Sequence, residues 1–259
     1  MPKIDVLLHG FRFNTDVGIP GFCSVLLIEG TKRTLVDVGH VGRRVVLENA
    51  LKERGLTAAD IDVVVMSHAH WDHVEGHAAM KELTGAQVMA VGEDAAAIGS
   101  GIDSSAAGAQ GWNPVRVDRV LEDLDTISLG GVTMQAHLTP GHTKGCTAWT
   151  LTVEENGKSY SVVFVRGTGI NRGVNLLNNK RHPSIVEDYA RTFQVLKEIE
   201  ADVYLAQHPS MYGMDEKLEQ LRGGATGNPF IDPEGYRRFL EEEEGNYLKK
   251  LEEERSASR

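Results

Sequence analysis

Cysteine is scarce in this chain: Cys23 and Cys146 are the only two among 259 residues. Two thiols are too few for a disulfide scaffold, and the sequence does not say whether they pair. Both sit in apolar, strand-like surroundings, so buried free thiols are the default. A basic excess is also missing. Asp and Glu outnumber Lys and Arg by 37 to 27, for a formal net charge of −10, so a nucleic-acid partner is not expected. Part of that charge is the Glu241–Glu244 run, which reads as a solvated helix face. No apolar run approaches the roughly 20 residues of a membrane span. The opening residues, Met1-Pro2-Lys3-Ile4-Asp5, lack the charged-then-apolar order of a signal peptide. The expectation is a cytoplasmic monomer acting on a small molecule away from membranes, periplasmic or secreted if a signal has been removed.

What is present is enough apolar material, 41%, for a sizeable core. Ile4 to Leu8 reads as a strand. Ser24–Ile28 and Thr34–Val38 read as strands around a turn at Glu29–Arg33. Val45 to Arg54 is amphipathic and stops at Gly55, a helix with its end signal. Ile61 to Met66 is an apolar run expected to be a buried strand. A helix over Val74 to Leu83, a strand over Ala86 to Val91 and a short helix over Glu93 to Ile98 follow. Gly99 to Asn113 is rich in Gly, Ser and Ala and reads as a mobile surface loop or lid. Strands return at Thr126–Leu129, Val132–Leu138, Thr147–Val153 and Tyr160–Val165, the last two joined by a turn at Glu154–Gly157. Gly167 to Pro183 is a second long loop. Ser184 to Ile199 reads as a helix with Ser184 and Glu187 at capping-box spacing. Asp202–Ala206 is a strand, Leu218–Leu221 part of a short helix, and Pro233 to Glu254 a long one. Each half runs strands, helix, strand, helix without a low-complexity linker. One domain over 1–259, two packed sheets with helices outside, fits this order.

The densest chemical signal is His68-Ala69-His70-Trp71-Asp72-His73, directly after the expected strand ending at Met66. Imidazoles and a carboxylate together suit zinc or a similar transition metal, and structural zinc sites lean instead on thiolates, which are absent nearby. His142 follows the strand ending at Leu138, and His208 follows the one ending at Ala206. Both repeat the placement of a candidate ligand just past a strand end. Six ligands exceed one tetrahedral zinc and divide into two groups of three, each with a position open for water. His9, His40, His77, His137 and His182 lack such context, with His137 the nearest to a supporting role.

His68-x-His70-x-Asp72-His73 followed by Pro140-Gly141-His142 resembles the pattern of metallo-β-lactamase-fold hydrolases, and Leu35-Val36-Asp37-Val38-Gly39 looks like that superfamily's early Asp-containing motif. The resemblance covers nearly the whole chain and implies a four-layer αββα sandwich with a di-metal site at one edge. Thr139–Trp149, Gln207–Ser210 and Asn228–Pro233 are similar to segments of the third subclass of class B metallo-β-lactamases. Most other superfamily hydrolases carry a bridging aspartate between the fourth and final histidines, where this chain reads Phe164–Gly169 with no carboxylate. Lacking the bridge is a feature of that subclass. The resemblance implies two zinc ions, one on His68, His70 and His142 and one on Asp72, His73 and His208. Two departures stand out. Gly167 and Gly169 take places where many subclass members carry small hydroxyl residues, and the stretch through Phe22 looks more like other hydrolases of the superfamily.

Three neutral imidazoles on zinc lower the pKa of its water to about 7, which provides hydroxide at neutral pH. Two such metals are expected about 3.5–4 Å apart. Asp72 is the candidate catalytic carboxylate that orients the hydroxide. Asp37 is a candidate to fix a histidine tautomer, or a plain strand-end residue. Trp71 and Trp112 are candidates to wall the cleft, Trp112 alternatively packing its loop onto the body. Arg166, Arg172, Lys180 and Arg181 offer charge to an anionic substrate. The leading expectation is a zinc-dependent β-lactamase. A lactonase or other esterase on the same site, and a metal-binding scaffold without catalysis, remain as alternatives.

Overall fold

The computed structural model describes residues 3–6, 26–29, 31–40, 42, 44–108, 110–155 and 157–258. Cys23, His9 and the turn residue Gly30 lie outside them. Among the described residues the strands form two sheets. The first runs β1 (Lys3–Val6), β2 (Leu26–Glu29), β3 (Arg33–Val36), β4 (Val63–Val65), β5 (Gln87–Val91) and β6 (Arg119–Leu121), neighbours in that order. Its first three strands pair antiparallel and the rest parallel. The second contains β7 (Thr126–Ser128), β8 (Thr133–Leu138), β9 (Thr147–Glu155), β10 (Lys158–Val165) and β11 (Val203–Ala206), in the order β11-β10-β9-β8-β7. Only β10 and β11 pair parallel there.

The side-chain period of two explains the layers. Val63 and Val65 of β4 enter an apolar cluster with Met134, Ala136, Trp149 and Phe164 of the second sheet. Val64, between them, enters a different cluster with Leu47 and Leu51 of α1 (Arg44–Glu53) and Met80 of α3 (His77–Thr84). Both faces of β4 are therefore buried, which is why it reads as an unbroken apolar run. On the far side, Tyr189 and Phe193 of α5 (Ile185–Glu198) pack with Tyr247 and Leu251 of the long helix α7 (Pro233–Ala257). The result is the αββα sandwich. None of the described helices is long and apolar enough to cross a membrane.

Several local expectations change. The helix expected over 74–83 is two, α2 (Trp71–Val74) and α3, so Asp72 and His73 lie on a helical turn rather than in a loop. Strand β6 was not expected; it is short, and two of its three residues are exposed. The described residues of the stretch 99–113 are anchored at several points. Its first residues complete α4 (Gly92–Ser100), Trp112 is buried against the cluster containing Met66, Ala69 and Ile98, and Arg181 donates to the carbonyls of Asp103 (2.7 Å) and Ser105 (2.9 Å). A composition rich in small residues is compatible with close packing when one tryptophan and one arginine hold the loop down. Ser184 precedes α5, but its hydroxyl donates to Asp188 (2.7 Å) and makes no capping bond. The helix α6 (Met214–Arg222) follows as expected, and Asp232 caps α7 by accepting from Gly235 N at 2.8 Å.

His77 is fully enclosed under α2. Its Nδ1 donates to the Val74 carbonyl (3.1 Å), and its Nε2 has no partner among the described residues. Burial pushes its pKa down from 6.5 to about 4. The unfolded chain therefore takes up a proton below about pH 6.5 that the folded state refuses. The stability His77 contributes is complete above that pH and is lost as pH falls towards 4, by about 3 kcal/mol. His77→Leu is expected to flatten this part of the acid destabilisation, read as the difference between urea unfolding at neutral and at acidic pH. An unchanged pH slope would place the loss elsewhere.

Candidate metal centre

The ends of β3, β4, β8, β10 and β11 deliver the site at one edge of the sandwich: Asp37, then His68 and His70, then His142, Arg166 and His208. Two bonds tie the edges of the sheets together there. Trp149 Nε1 donates to the Met66 carbonyl (3.0 Å), and Thr147 N donates to the Ser67 carbonyl (2.8 Å).

Proton bookkeeping defines each imidazole. Asp37, fully buried, accepts from Ser67 N (2.7 Å), from Ser67 Oγ (2.7 Å) and from His73 Nδ1 (2.8 Å). Since the Ser67 hydroxyl proton goes to Asp37, Ser67 Oγ is left to accept from His68 Nδ1 at 3.0 Å. His142 Nδ1 donates to the Gly169 carbonyl (2.6 Å), which also accepts from the Tyr189 hydroxyl (2.7 Å). His70 Nε2 lies 2.9 Å from Ser105 Oγ, which can accept its proton. With the His70 proton on Nε2 as well, every outer nitrogen carries a proton and every inner one a lone pair, the tautomer set that aims all three at one point. His68 Nε2 lies 3.1 Å and His142 Nε2 2.9 Å from His70 Nδ1. In this tautomer set the three lone pairs cannot hydrogen-bond one another, and a cation between them satisfies all three. The donor set fits a divalent transition metal with three imidazole ligands.

Burial first, then the charge of Arg166, pushes the pKa values of His68 and His142 well below the usual imidazole value. The same causes lower His70 to about 4. Burial followed by the neighbouring His73 lowers His208 to about 3. All four are neutral at physiological pH, the form that binds metal. A second group forms around His68, Asp72 and His73, whose donor atoms approach within 4.8 Å, and Asp72 Oδ2 is 3.3 Å from His73 Nε2. Burial alone would raise the Asp72 carboxyl, but the imidazoles of His73, His208 and His70 outweigh it and hold it well below the carboxylate range. His208 stands at the rim, its ring 5.4 Å from that of His73.

The remaining expected residues separate. Trp71 is part-exposed beside the site, edge-on to His40 at 5.2 Å. Trp112 takes the packing role and is buried away from the cleft. Arg172 is exposed and lines a cleft of about 420 Å³ with Ala106, Ala107, Asn171, Gly173 and Val174. Lys180 is exposed, and Arg181 is committed to the 103–105 backbone. Arg166 is the surprise. It is not a surface charge but is 2% exposed, with Nη2 at 2.6 Å from His68 Nε2. His137 bonds Thr150 Oγ1 (2.8 Å) within the sheet, and His182 bonds Asp188 (2.7 Å). Cys146 is a buried free thiol, as expected, pushed up to about 11 by burial.

Sequence reasoning missed Asp94, in the first turn of α4. Its carboxylate accepts from Ala69 N (2.8 Å), Thr143 Oγ1 (2.6 Å) and Gly145 N (2.8 Å), joining the loop of His68 and His70 to the loop of His142. A Cβ on Gly145 would lie 2.5 Å from the Val91 carbonyl oxygen and 2.6 Å from Asp94, so only glycine fits this approach. The glycine at 167 also has a structural cause. Its φ is +96°, and a Cβ there would sit 2.2 Å from the Thr139 carbonyl oxygen, which leaves no room for a hydroxyl side chain.

Residues 18–208 match the family model of the metallo-beta-lactamase superfamily. Among solved structures, the chain is similar to the native FEZ-1 metallo-beta-lactamase from Legionella gormanii, with 32% identity, 89% of this chain and 90% of that one covered, and a TM-score of 0.86. It is also similar to BJP-1, a subclass B3 metallo-beta-lactamase of Bradyrhizobium japonicum, with 30% identity, 92% and 90% coverage and a TM-score of 0.84. Curated relatives are more distant. A hydroxyacylglutathione hydrolase of Brucella anthropi is 28% identical over 123 residues, which cover 48% of this chain and 40% of that protein. An uncharacterised protein of Mycobacterium tuberculosis is 28% identical over 152 residues, 56% of this chain and 66% of that one.

Proposed function

The chain belongs to the metallo-beta-lactamase superfamily, and from that premise we propose that it is a zinc-dependent hydrolase that opens the amide bond of a β-lactam. The metal dependence is carried by one observation, the three inward lone pairs of His68, His70 and His142 within 2.9–3.1 Å steps. The substrate class is supported by the similarity to subclass B3 enzymes over about nine tenths of the chain. Both sheets share one core, which supports reading 1–259 as a single domain.

Under this reading His68, His70 and His142 form one ligand group and Asp72, His73 and His208 the other. Zinc, when bound, supplies Lewis acidity and a lowered pKa for water at neutral pH. The chain's own residues do the rest. Asp37 keeps the His73 proton on Nδ1 and, through Ser67, the His68 proton on Nδ1. The Gly169 carbonyl and Ser105 hydroxyl do the same for His142 and His70. Asp72, ionised across the neutral range, accepts a hydrogen bond from the attacking water and orients it. Trp71 walls the approach. Arg172, on the cleft beside Asn171, offers positive charge to the substrate carboxylate.

A second reading, hydrolysis of an ester, lactone or thioester at the same centre, is favoured by the match to the hydroxyacylglutathione hydrolase. Steady-state kinetics with a penicillin, a carbapenem, an acyl lactone and an acyl thioester separate the two. β-Lactam opening that chelation abolishes and zinc restores is the expected result. Lactone or thioester turnover without β-lactam opening would transfer the site to the second reading.

A further inference from the structure

Two of the three inward imidazoles are backed from the same turn of helix. Asp188 and Tyr189 are neighbours in α5. The Tyr189 hydroxyl donates to the Gly169 carbonyl, which also accepts from His142 Nδ1. Asp188 accepts from His182 Nε2 and from Ser184 Oγ, both at 2.7 Å, and His182 is fully buried. Arg181 precedes it. Asn179 Oδ1 accepts from the Arg181 backbone nitrogen at 3.1 Å and from that of His182 at 3.0 Å. The direction of the Arg181 side chain is therefore set by a turn anchored on α5.

From there the guanidinium reaches the loop of Ser105, with Nη2 on the Asp103 carbonyl and Nε on the Ser105 carbonyl. That turn is closed on itself by side chains. Asp103 Oδ1 accepts from Ser105 N (2.8 Å), and Ser105 Oγ accepts from Gly108 N (3.3 Å). Gly108 lies against the guanidinium with φ +52°, and a Cβ there would sit 2.4 Å from Arg181 Cζ and displace it. What the turn presents is Ser105 Oγ, in a residue 2% exposed, at 2.9 Å from His70 Nε2. A displacement of about 1 Å would break such a hydrogen bond. A partner on the second ring nitrogen fixes the tautomer of a metal-binding histidine, and its loss typically costs about 10–100-fold in metal affinity.

We infer that Arg181 is a positioning residue for the metal centre. Through the 103–105 turn it holds Ser105 Oγ on His70 Nε2, and so keeps the His70 lone pair on Nδ1, facing His68 and His142. The inference rests on the metal dependence proposed above and not on the substrate. It takes Arg181 away from the anionic substrate to which the sequence offered it. It also accounts for arginine at this place, since a planar fork meets two carbonyls at once and an ammonium does not.

The test compares full-length wild type with Arg181→Ala, Arg181→Lys, Ser105→Ala and the Arg181→Ala, Ser105→Ala double variant. Two quantities are read. In chelator-stripped protein, proton–nitrogen NMR of the imidazoles locates the His70 proton, its signals identified by their absence from His70→Ala. In a cobalt(II) titration, the visible absorption of the bound ion gives its affinity. Wild type is expected to carry the His70 proton on Nε2. Arg181→Ala and Ser105→Ala are each expected to move part of it to Nδ1 and to weaken cobalt by about 10-fold or more. The double variant should be no weaker than Ser105→Ala alone, because both changes remove one contact. Arg181→Lys keeps the charge without the fork and should resemble alanine. It carries the same comparison should Arg181→Ala fail to fold.

A wild-type tautomer and cobalt affinity in both Arg181 variants would overturn the inference, as would additive losses in the double variant. A raised KM with both quantities unchanged would return Arg181 to the substrate. Absence of cobalt binding in every form would remove the metal dependence proposed above, while the tautomer comparison would still decide whether Arg181 places Ser105 on His70.

Discussion

Asp72→Ala is expected to lower kcat/KM by about 10²–10⁴-fold, the range for losing a side chain positioned on the reacting group, with the fold intact. The carboxylate combines two functions in the proposed mechanism: it holds metal with His73, and it orients the attacking water. Its side chain is 21% exposed, with Oδ2 lying 3.3 Å from His73 Nε2, so truncation leaves no buried cavity. The thermal midpoint of the metal-free protein should therefore stay close to that of wild type while turnover collapses. Asp72→Asn preserves shape but not charge and is expected to follow alanine in rate. Turnover within tenfold of wild type in both variants would take Asp72 out of the chemistry. A collapse of both turnover and the metal-free thermal midpoint would make its role structural instead.

The largest stability effect is expected at Asp94, away from the inward imidazole nitrogens. Asp94→Ala strands three buried donors, Ala69 N, Thr143 Oγ1 and Gly145 N. Bonds to a charged acceptor contribute about 1.5–3 kcal/mol each, and unmet buried donors cost about 1–3 kcal/mol. Water entering the gap recovers part of this, so a net loss of about 4 kcal/mol is expected, read as a lower urea midpoint at unchanged m-value. Burial raises the Asp94 carboxyl while its three donors pull it down, and an amide in its place cannot accept from all three. Asp94→Asn should fall between wild type and alanine. Because Asp94 ties the His68 and His142 loops together, both variants should also bind zinc more weakly. A loss below about 1 kcal/mol, the size of an ordinary hydrogen bond, would show that the two loops are held by other means.

The residues of the candidate centre were legible because their signal is local. His68, His70, Asp72 and His73 crowd one short stretch, and His142 and His208 each follow an apolar run that could be recognised as a strand by its own composition. The sandwich was legible for a related reason. Val63–Val65 is apolar on both faces only because it lies between a second sheet and a helical layer. Boundaries failed where a side chain's partner is remote. The 99–113 stretch looked mobile because its composition says nothing of Arg181, 76 to 78 residues further on, which holds its backbone. Asp94 looked like an ordinary acidic residue at the start of a helix, where carboxylates are common.

By itself the sequence determined the donor types, their placement at strand ends and the layered fold, since all three follow from hydrophobic period and residue chemistry within short windows. Only the tertiary structure decided which nitrogen of each imidazole carries the proton, because that depends on Asp37, Ser67, Ser105 and Gly169 meeting the rings from separate loops. It also decided the direction of Arg166, which the sequence offered as charge for an anionic substrate. A long side chain following a strand can turn outward to water or inward to the site. Its turn towards His68, 98 residues away in the chain, is set by the acceptors that folding brings to that edge of the sheets.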